Sequence, residues 1–284
     1  MQHVQDKASL SQLIASWHDA GETVAFVPTM GNLHEGHLGL VDEARRRADR
    51  VVVSIFVNPT QFGPGEDFDR YPRTEQQDCE KLAARGTDLV YLPDVEDIYP
   101  EGMDARPDIH VPAELNNILC GAARPGHFDG VATVVRRLFD VVQPDIAVFG
   151  NKDYQQLQII HWLVAKQGMP IEIVGAPIVR EADGLAMSSR NQYLSADERA
   201  LAPQLHIQLE KIVSAIGEGG RDFAALSMQA RAELEVVGWQ VDYVSILGRD
   251  LQPATENSHD LVVLGAARLG QTRLIDNIEC HSGH

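Results

Sequence analysis

The 284-residue sequence predicts an α/β chain, with a parallel sheet wound by helices over residues 1–176 and a smaller α+β domain over 177–284. Three observations carry this reading. Up to about residue 175, short β-branched runs alternate with longer helical patterns, the order that builds a doubly wound parallel sheet. From about Pro177 the pattern changes, and two helical stretches precede three strand candidates with no long helix between them. The composition, 44% hydrophobic and 23% charged, is that of an ordinary globular protein with ample core for one large and one small domain.

Thr23-Val24-Ala25-Phe26-Val27 reads as a buried strand, and the periodic pattern from His37 to about Asp49 reads as the helix after it. Further strands are expected at 51–57, 89–92, 145–149 and 171–174, and helices at 74–85, 128–142 and 153–167. Ligands of such sheets bind at the carboxyl ends of the strands, so the loops 28–37, 58–73 and 150–153 are the informative ones. In the second half, Ser195 and Glu198 form a capping box opening a helical stretch to Ile216. Gly217-Glu218-Gly219-Gly220 breaks it, a helix follows at about 222–236, and strands are expected at 239–247, 260–266 and 272–276.

Charge narrows the partners. With 24 Lys+Arg against 41 Asp+Glu, the net charge of −17 argues against nucleic acid and anionic membranes, whose phosphates are held largely by Lys and Arg. A small anion could bind only where basic groups concentrate locally. The three cysteines, Cys79, Cys120 and Cys280, are far apart and in no CxxC pair, which points to a reducing compartment and away from structural zinc. No signal peptide is evident and the longest apolar runs are strand-sized, so the expected setting is cytoplasmic.

Five loops carry candidate chemistry. Pro28 to His37 joins a strand, a glycine-bearing turn and a helix start, where free backbone N–H groups and the helix dipole would face an anion. His34 and His37 can both reach a ligand there, and imidazole can donate to a phosphoryl oxygen and change protonation near neutral pH. Asn58 and Gln61, in Phe56-Val57-Asn58-Pro59-Thr60-Gln61-Phe62, could orient a hydroxylated or carboxylate ligand, or simply be turn residues. Gly121 to Gly130 offers Arg124 and His127 before a helix, or a solvated loop. In Gly150-Asn151-Lys152-Asp153, the lysine suits phosphate and Asp153 suits a helix cap, with Gln156 one turn further on. Arg180 to Asn191 brings Ser188, Ser189 and Arg190 together as a polyphosphate clamp.

With these motifs in view, the chain closely resembles the pantothenate synthetase (pantoate–β-alanine ligase) family. The resemblance runs over nearly the whole length, through PTMGNLHEGH, FVNPTQF, EDFDRYPR, RPGHFDGVATVV, FGNKDYQQL, READGLAMSSRN and the late ARLG and RLIDN segments. It implies a Rossmann-type nucleotide domain of the HIGH superfamily kind, related to class I aminoacyl-tRNA synthetases, with a smaller C-terminal α+β lid domain closing over it. It further implies Mg²⁺, a homodimer, and an ATP-dependent reaction of pantoate with β-alanine through pantoyl adenylate, releasing pyrophosphate and then AMP.

Position by position, the resemblance assigns ATP to Met30, Gly31, Asn32, Leu33, His34, Glu35, Gly36, His37, Gly150, Asn151, Lys152, Asp153, Val179, Met187, Ser188, Ser189 and Arg190. His37 is implied as the proton donor, with His34, Lys152 and Arg190 as its catalytic companions. Gln61 is implied for pantoate and β-alanine, Gln156 for pantoate, Asn58 near pantoate and Arg124 near the site mouth, both as substrate-binding residues. Asn151 is a departure, since Glu or Gln is expected there. The metal ligands are not assigned; Asp78 reads as metal-associated or as a surface helix position.

Carboxylate attack on a triphosphate brings like charges together, so the chemistry needs cations and N–H donors where charge builds. His34, His37, Lys152, Arg190 and Mg²⁺ could supply that in an acidic protein. The rival readings are a nucleotidylyltransferase of the same superfamily, which also frees pyrophosphate, and a non-catalytic nucleotide sensor. A tRNA synthetase fragment is disfavoured by the charge of −17 and by the lack of a basic anticodon-binding region.

Overall fold

A computed structural model describes residues 1–63, 68–102 and 107–282. The chain divides into two compact units, one of residues 1–150 with 159–177 and one of 151–158 with 178–284. The first holds six parallel strands: β1 (Gln2–Val4), β2 (Val24–Thr29), β3 (Arg50–Ile55), β4 (Leu89–Tyr91), β5 (Ile146–Gly150) and β6 (Glu172–Ala176). Their order across the sheet is β1-β4-β3-β2-β5-β6. The chain therefore builds outward from β2, then returns to β2's other side at β5, creating a topological switch point between these two strands.

Alternation along β2 explains the layers. Ala25 and Val27 join Val51, Val53, Val90 and Val148 beneath Leu38, Val41 and Ala44 of the helix Glu35–Arg47. Phe26 points the other way and meets Phe139 of the helix His127–Val142 edge to face at 6.3 Å. Both faces are covered, which is why these strands are continuous apolar runs rather than alternating ones.

The expected strands and helices of this half are present. No expected element covers residues 1–22, where the structure has β1 and the helix Lys7–Asp19. A three-residue edge strand leaves no periodic signal. The helix did leave one, since Leu10, Ile14 and Trp17 are its buried stripe and Asp6 caps it by accepting the Ser9 N–H at 2.8 Å.

The second unit packs helices on a three-stranded antiparallel sheet, β7 (Gln240–Gly248), β8 (Asp260–Leu269) and β9 (Thr272–His281), in the order β7-β8-β9. Leu205, Leu209, Ile212 and Ile216 of the helix Gln204–Gly217 share a core with Leu234, Trp239, Leu261 and Val263. Gly265 permits this close approach: a Cβ there would sit 2.9 Å from Leu205 Cδ1. The stretch expected as one helix over 195–216 is two, Ala196–Leu201 and Gln204–Gly217. Pro203, lacking an N–H, interrupts the ladder between them. The capping box is formed as expected, with Ser195 Oγ accepting the Glu198 N–H and Glu198 Oε2 accepting the Ser195 N–H. β9 runs five residues beyond the expected 276, because its polar Asp276 and Asn277 pair with Gly265 and Leu264 of β8 instead of ending the strand. Among the described residues, no helix is long and apolar enough to cross a membrane.

Candidate active site

In the first unit, the turn after β2 places His34 as the N-cap of Glu35–Arg47. Its backbone donors were expected to be free for an anion. The structure corrects this, because buried N–H groups find partners within the protein. Gly31 N donates to Thr29 Oγ1, while Asn32 N and Leu33 N both donate to the Asp78 carboxylate at 2.8 Å. Gly36 N donates to His34 Nδ1 at 3.1 Å, and His34 N to His37 Nδ1 at 3.4 Å. An Nδ1 that accepts carries no proton, so each neutral ring bears its N–H at Nε2. The Gly31, Asn32 and Leu33 N–H groups thus serve the protein itself, and the two rings lie 4.1 Å apart, centroid to centroid.

Asp78 is the organiser of this turn. It is fully buried, not a surface helix position, and its oxygens are taken by Asn32, Leu33 and the Thr74 hydroxyl, which argues against the metal-associated reading. Gly31 (φ 81°) and Asn32 (φ 50°) adopt the left-handed conformation that aims successive N–H groups at one acceptor.

The turn after β3 holds Gln61 from several sides. Asn58 Nδ2 donates to Gln61 Oε1 at 3.1 Å, which turns the Gln61 amide NH₂ toward Met30 Sδ, 2.9 Å away. Asn58 is 1% exposed, and its oxygen accepts the Tyr99 hydroxyl at 2.7 Å and the Thr60 hydroxyl at 3.0 Å. Arg124 can only donate, so His127 Nε2, 2.9 Å from Arg124 Nη1, accepts. His127 Nδ1 then carries the proton and donates to Gln61 O at 2.7 Å. Asn58, Arg124 and His127 therefore set the position and amide orientation of Gln61. Burial pushes the Tyr99 hydroxyl pKa up, keeping that donor protonated.

In the second unit, Asn151–Asp153 form a 3-10 turn leading into the helix Tyr154–Gln167, and Gln156 lies half-buried in that helix's first turn. The Lys152 ammonium is 3.9 Å from the Asp153 carboxylate. Val179 O accepts the Met187 N–H at 3.0 Å, and Arg180 bridges Ala186, so 179–187 is a narrow hairpin turning at Gly184 (φ 89°). Ser188 caps the short helix Ser189–Tyr193 by accepting the Arg190 N–H. One pocket of this unit is lined by Lys152, Leu185, Ala186, Ser188, His206 and Asp276. Lys152 and the serine loop, 36 residues apart in sequence, are thereby brought together.

A family model described as pantoate-beta-alanine ligase matches residues 2–279. The chain belongs to the pantoate–β-alanine ligase family. It is therefore an acid–amino-acid ligase, and its fold is that of the family. The pantothenate synthetase of Pseudomonas putida KT2440 is 51% identical over 99% of this chain and 98% of its own length. That of Thiobacillus denitrificans is 58% identical over 91% of both. The crystal structure of pantothenate synthetase from Thermus thermophilus superposes with a TM-score of 0.91 at 45% identity, covering 98% of this chain and 99% of that one. The Francisella tularensis pantoate–β-alanine ligase, complexed with β,γ-ATP and β-alanine, superposes with a TM-score of 0.83 at 33% identity, covering 98% of this chain and 97% of that one.

The motifs mark Met30 to His37, Gln61, Lys152 and Arg190 as candidates, and Asn58, Arg124 and His127 beside them, but the sequence did not show that these last three hold Gln61. Tyr99 gave no signal at all, and Asp78 gave only an ambiguous one. Glu66 and Asp67, in the EDFDRYPR motif, lie outside the described residues.

Proposed function

We propose that this ligase works through an acyl adenylate. A pantoate carboxylate oxygen attacks the α-phosphorus of ATP, and the bond to the β-phosphate oxygen breaks as pyrophosphate leaves. The β-alanine amine then attacks the acyl carbon, forming the amide; the carbon–oxygen bond to AMP breaks and the amine loses a proton. The observation that carries this reading is the His34/His37 pair, whose Nδ1 atoms accept backbone N–H groups, so that each neutral ring bears its proton at Nε2, a donor of the kind phosphoryl oxygens accept. His37 is the proton donor of the pair.

Lys152, Ser188, Ser189 and Arg190 hold the triphosphate, with Gly150, Asn151, Asp153, Val179 and Met187 completing the ATP contacts. Gln61 orients pantoate and then β-alanine, and Gln156 orients pantoate; the fixed Gln61 amide supports that role. The 180–191 loop keeps water from the mixed anhydride. Residues 1–176 form the ATP- and pantoate-binding domain and 177–284 the lid domain. The homodimer rests on the family resemblance, and the cytoplasmic setting on the cysteine pattern and the strand-sized apolar runs.

Among the described residues, no three His, Cys, Asp or Glu side chains converge as a metal site. Mg²⁺ would arrive with ATP and offset its phosphate charge.

The decisive assay supplies labelled pantoate, β-alanine and ATP to the purified protein. Pantothenate and AMP should form in equal amounts, and formation of ADP with inorganic phosphate would overturn the reading. The His37→Ala variant should fold normally and lose roughly 10²–10³-fold in pantoate-dependent pyrophosphate release.

A further inference from the structure

Two neighbouring residues of β9, Asp276 and Asn277, reach the 180–187 hairpin and the lysine turn. Both are 4% exposed. Successive side chains of a strand point to opposite faces, so adjacent positions can serve two different segments. Asn277 Nδ2 donates to the carbonyl oxygens of Asn151 at 2.9 Å and Lys152 at 3.0 Å, holding the backbone of the lysine turn. Asp276 receives the Arg180 guanidinium in a two-pronged pair at 2.8 and 2.9 Å, with His206 Nδ1 3.1 Å from the same carboxylate. Arg180 Nη1 also donates to Gly184 O at 3.0 Å, across the tip of the hairpin that leads into Ser188. Asn277 N closes the pair by donating to Asp276 Oδ1 at 2.7 Å.

We propose that Asp276 and Asn277 are positioning residues for the first half-reaction, holding the Lys152 turn and the hairpin before Ser188 in one register. This rests on the reading that Lys152 and Ser188–Arg190 hold the triphosphate. The lysine turn and the hairpin are far apart in sequence and share no strand, yet both are tied to consecutive residues of β9. Arg180 fits the same account. It was expected only as part of a phosphate-binding loop, but its guanidinium is bonded to Asp276, Gly184 O and Asn277 O, so its role is to shape the hairpin.

The test uses the full-length protein with Asn277→Ala, the near-isosteric Asn277→Asp, Asp276→Asn, and Lys152→Ala as the reference. The first half-reaction is read as pantoate-dependent ATP–pyrophosphate exchange, the second as pantothenate formation from synthetic pantoyl adenylate and β-alanine. Folding is followed by circular dichroism. The Asn277 and Asp276 variants should stay folded, lose roughly 10–100-fold in exchange, and leave the second half-reaction nearly unchanged. Asn277→Ala added to Lys152→Ala should cost little more than Lys152→Ala alone, as for groups acting as a unit. Wild-type exchange in Lys152→Ala would refute the triphosphate reading and this inference with it. Slow exchange in Lys152→Ala, beside normal exchange in both Asn277 variants, would refute the inference alone. So would an equal loss in both half-reactions, or loss of the fold in all three β9 variants, since either marks a structural role only.

Discussion

Asp78 shows how one buried carboxylate can decide the character of a strand-to-helix turn. By taking the Asn32 and Leu33 N–H groups, it does what an anion would do in an open phosphate-binding turn. The two imidazoles beside it are held 4.1 Å apart by their contacts to the helix start. In Asp78→Asn, an amide NH₂ would replace one acceptor and leave a buried N–H unpaired. We expect a loss of about 1–3 kcal/mol in stability. The displaced turn should also lower kcat more than it raises KM for ATP. Thermal melts read alongside steady-state kinetics check both, and a variant as stable and active as the parent would contradict this role.

At the scale of elements, the site depends on how closely the turn Pro59–Gln61 meets the helix His127–Val142. Gly130, one turn into that helix, makes the approach possible, because a Cβ there would lie 2.5 Å from Thr60 O and 3.1 Å from Gln61 N. Backbone atoms cannot swing aside as a flexible side chain would. Gly130→Ala gains about 1 kcal/mol in helix propensity but forces the turn outward, an overpacking cost of about 1–3 kcal/mol. The clash should win, and Gln61 moves with the turn. The expected outcome is a modest fall in melting temperature and a clear rise in KM for pantoate, measured at saturating ATP. An unchanged KM would mean that Gln61 tolerates displacement.

For the molecule as a whole, the surplus of acidic groups sets the response to acid. Several carboxylates titrate below their ordinary values. Glu233 is brought to about 2 by hydrogen bonds from Lys211, Gln229 and Gln208, and Glu22 is lowered by Arg50. Burial pushes Asp276 up, but hydrogen bonds from His206 and Arg180 outweigh it and the net direction is down. A carboxyl group whose folded pKa lies below its unfolded one contributes stability above the unfolded value and loses it as pH falls through the folded one. Melting temperature should therefore fall most steeply between about pH 4.5 and 2, although protonation also relieves self-repulsion at −17. A flat profile over that range, in low-salt buffer, would show that these contacts add little. Most of the architecture is legible in the residues: β2, β3 and β5 are apolar runs long enough to declare themselves, and Ser195 with Glu198 announces a helix start. The sequence also marks which loops are candidates for chemistry, because the motifs are local. What holds those loops in place emerges only on folding. Asp78 lies 46 residues from Asn32, Tyr99 41 from Asn58, and Asn277 125 from Lys152. A hydrogen bond between such distant residues leaves no periodic or spacing signal, since it exists only once the chain between them has folded.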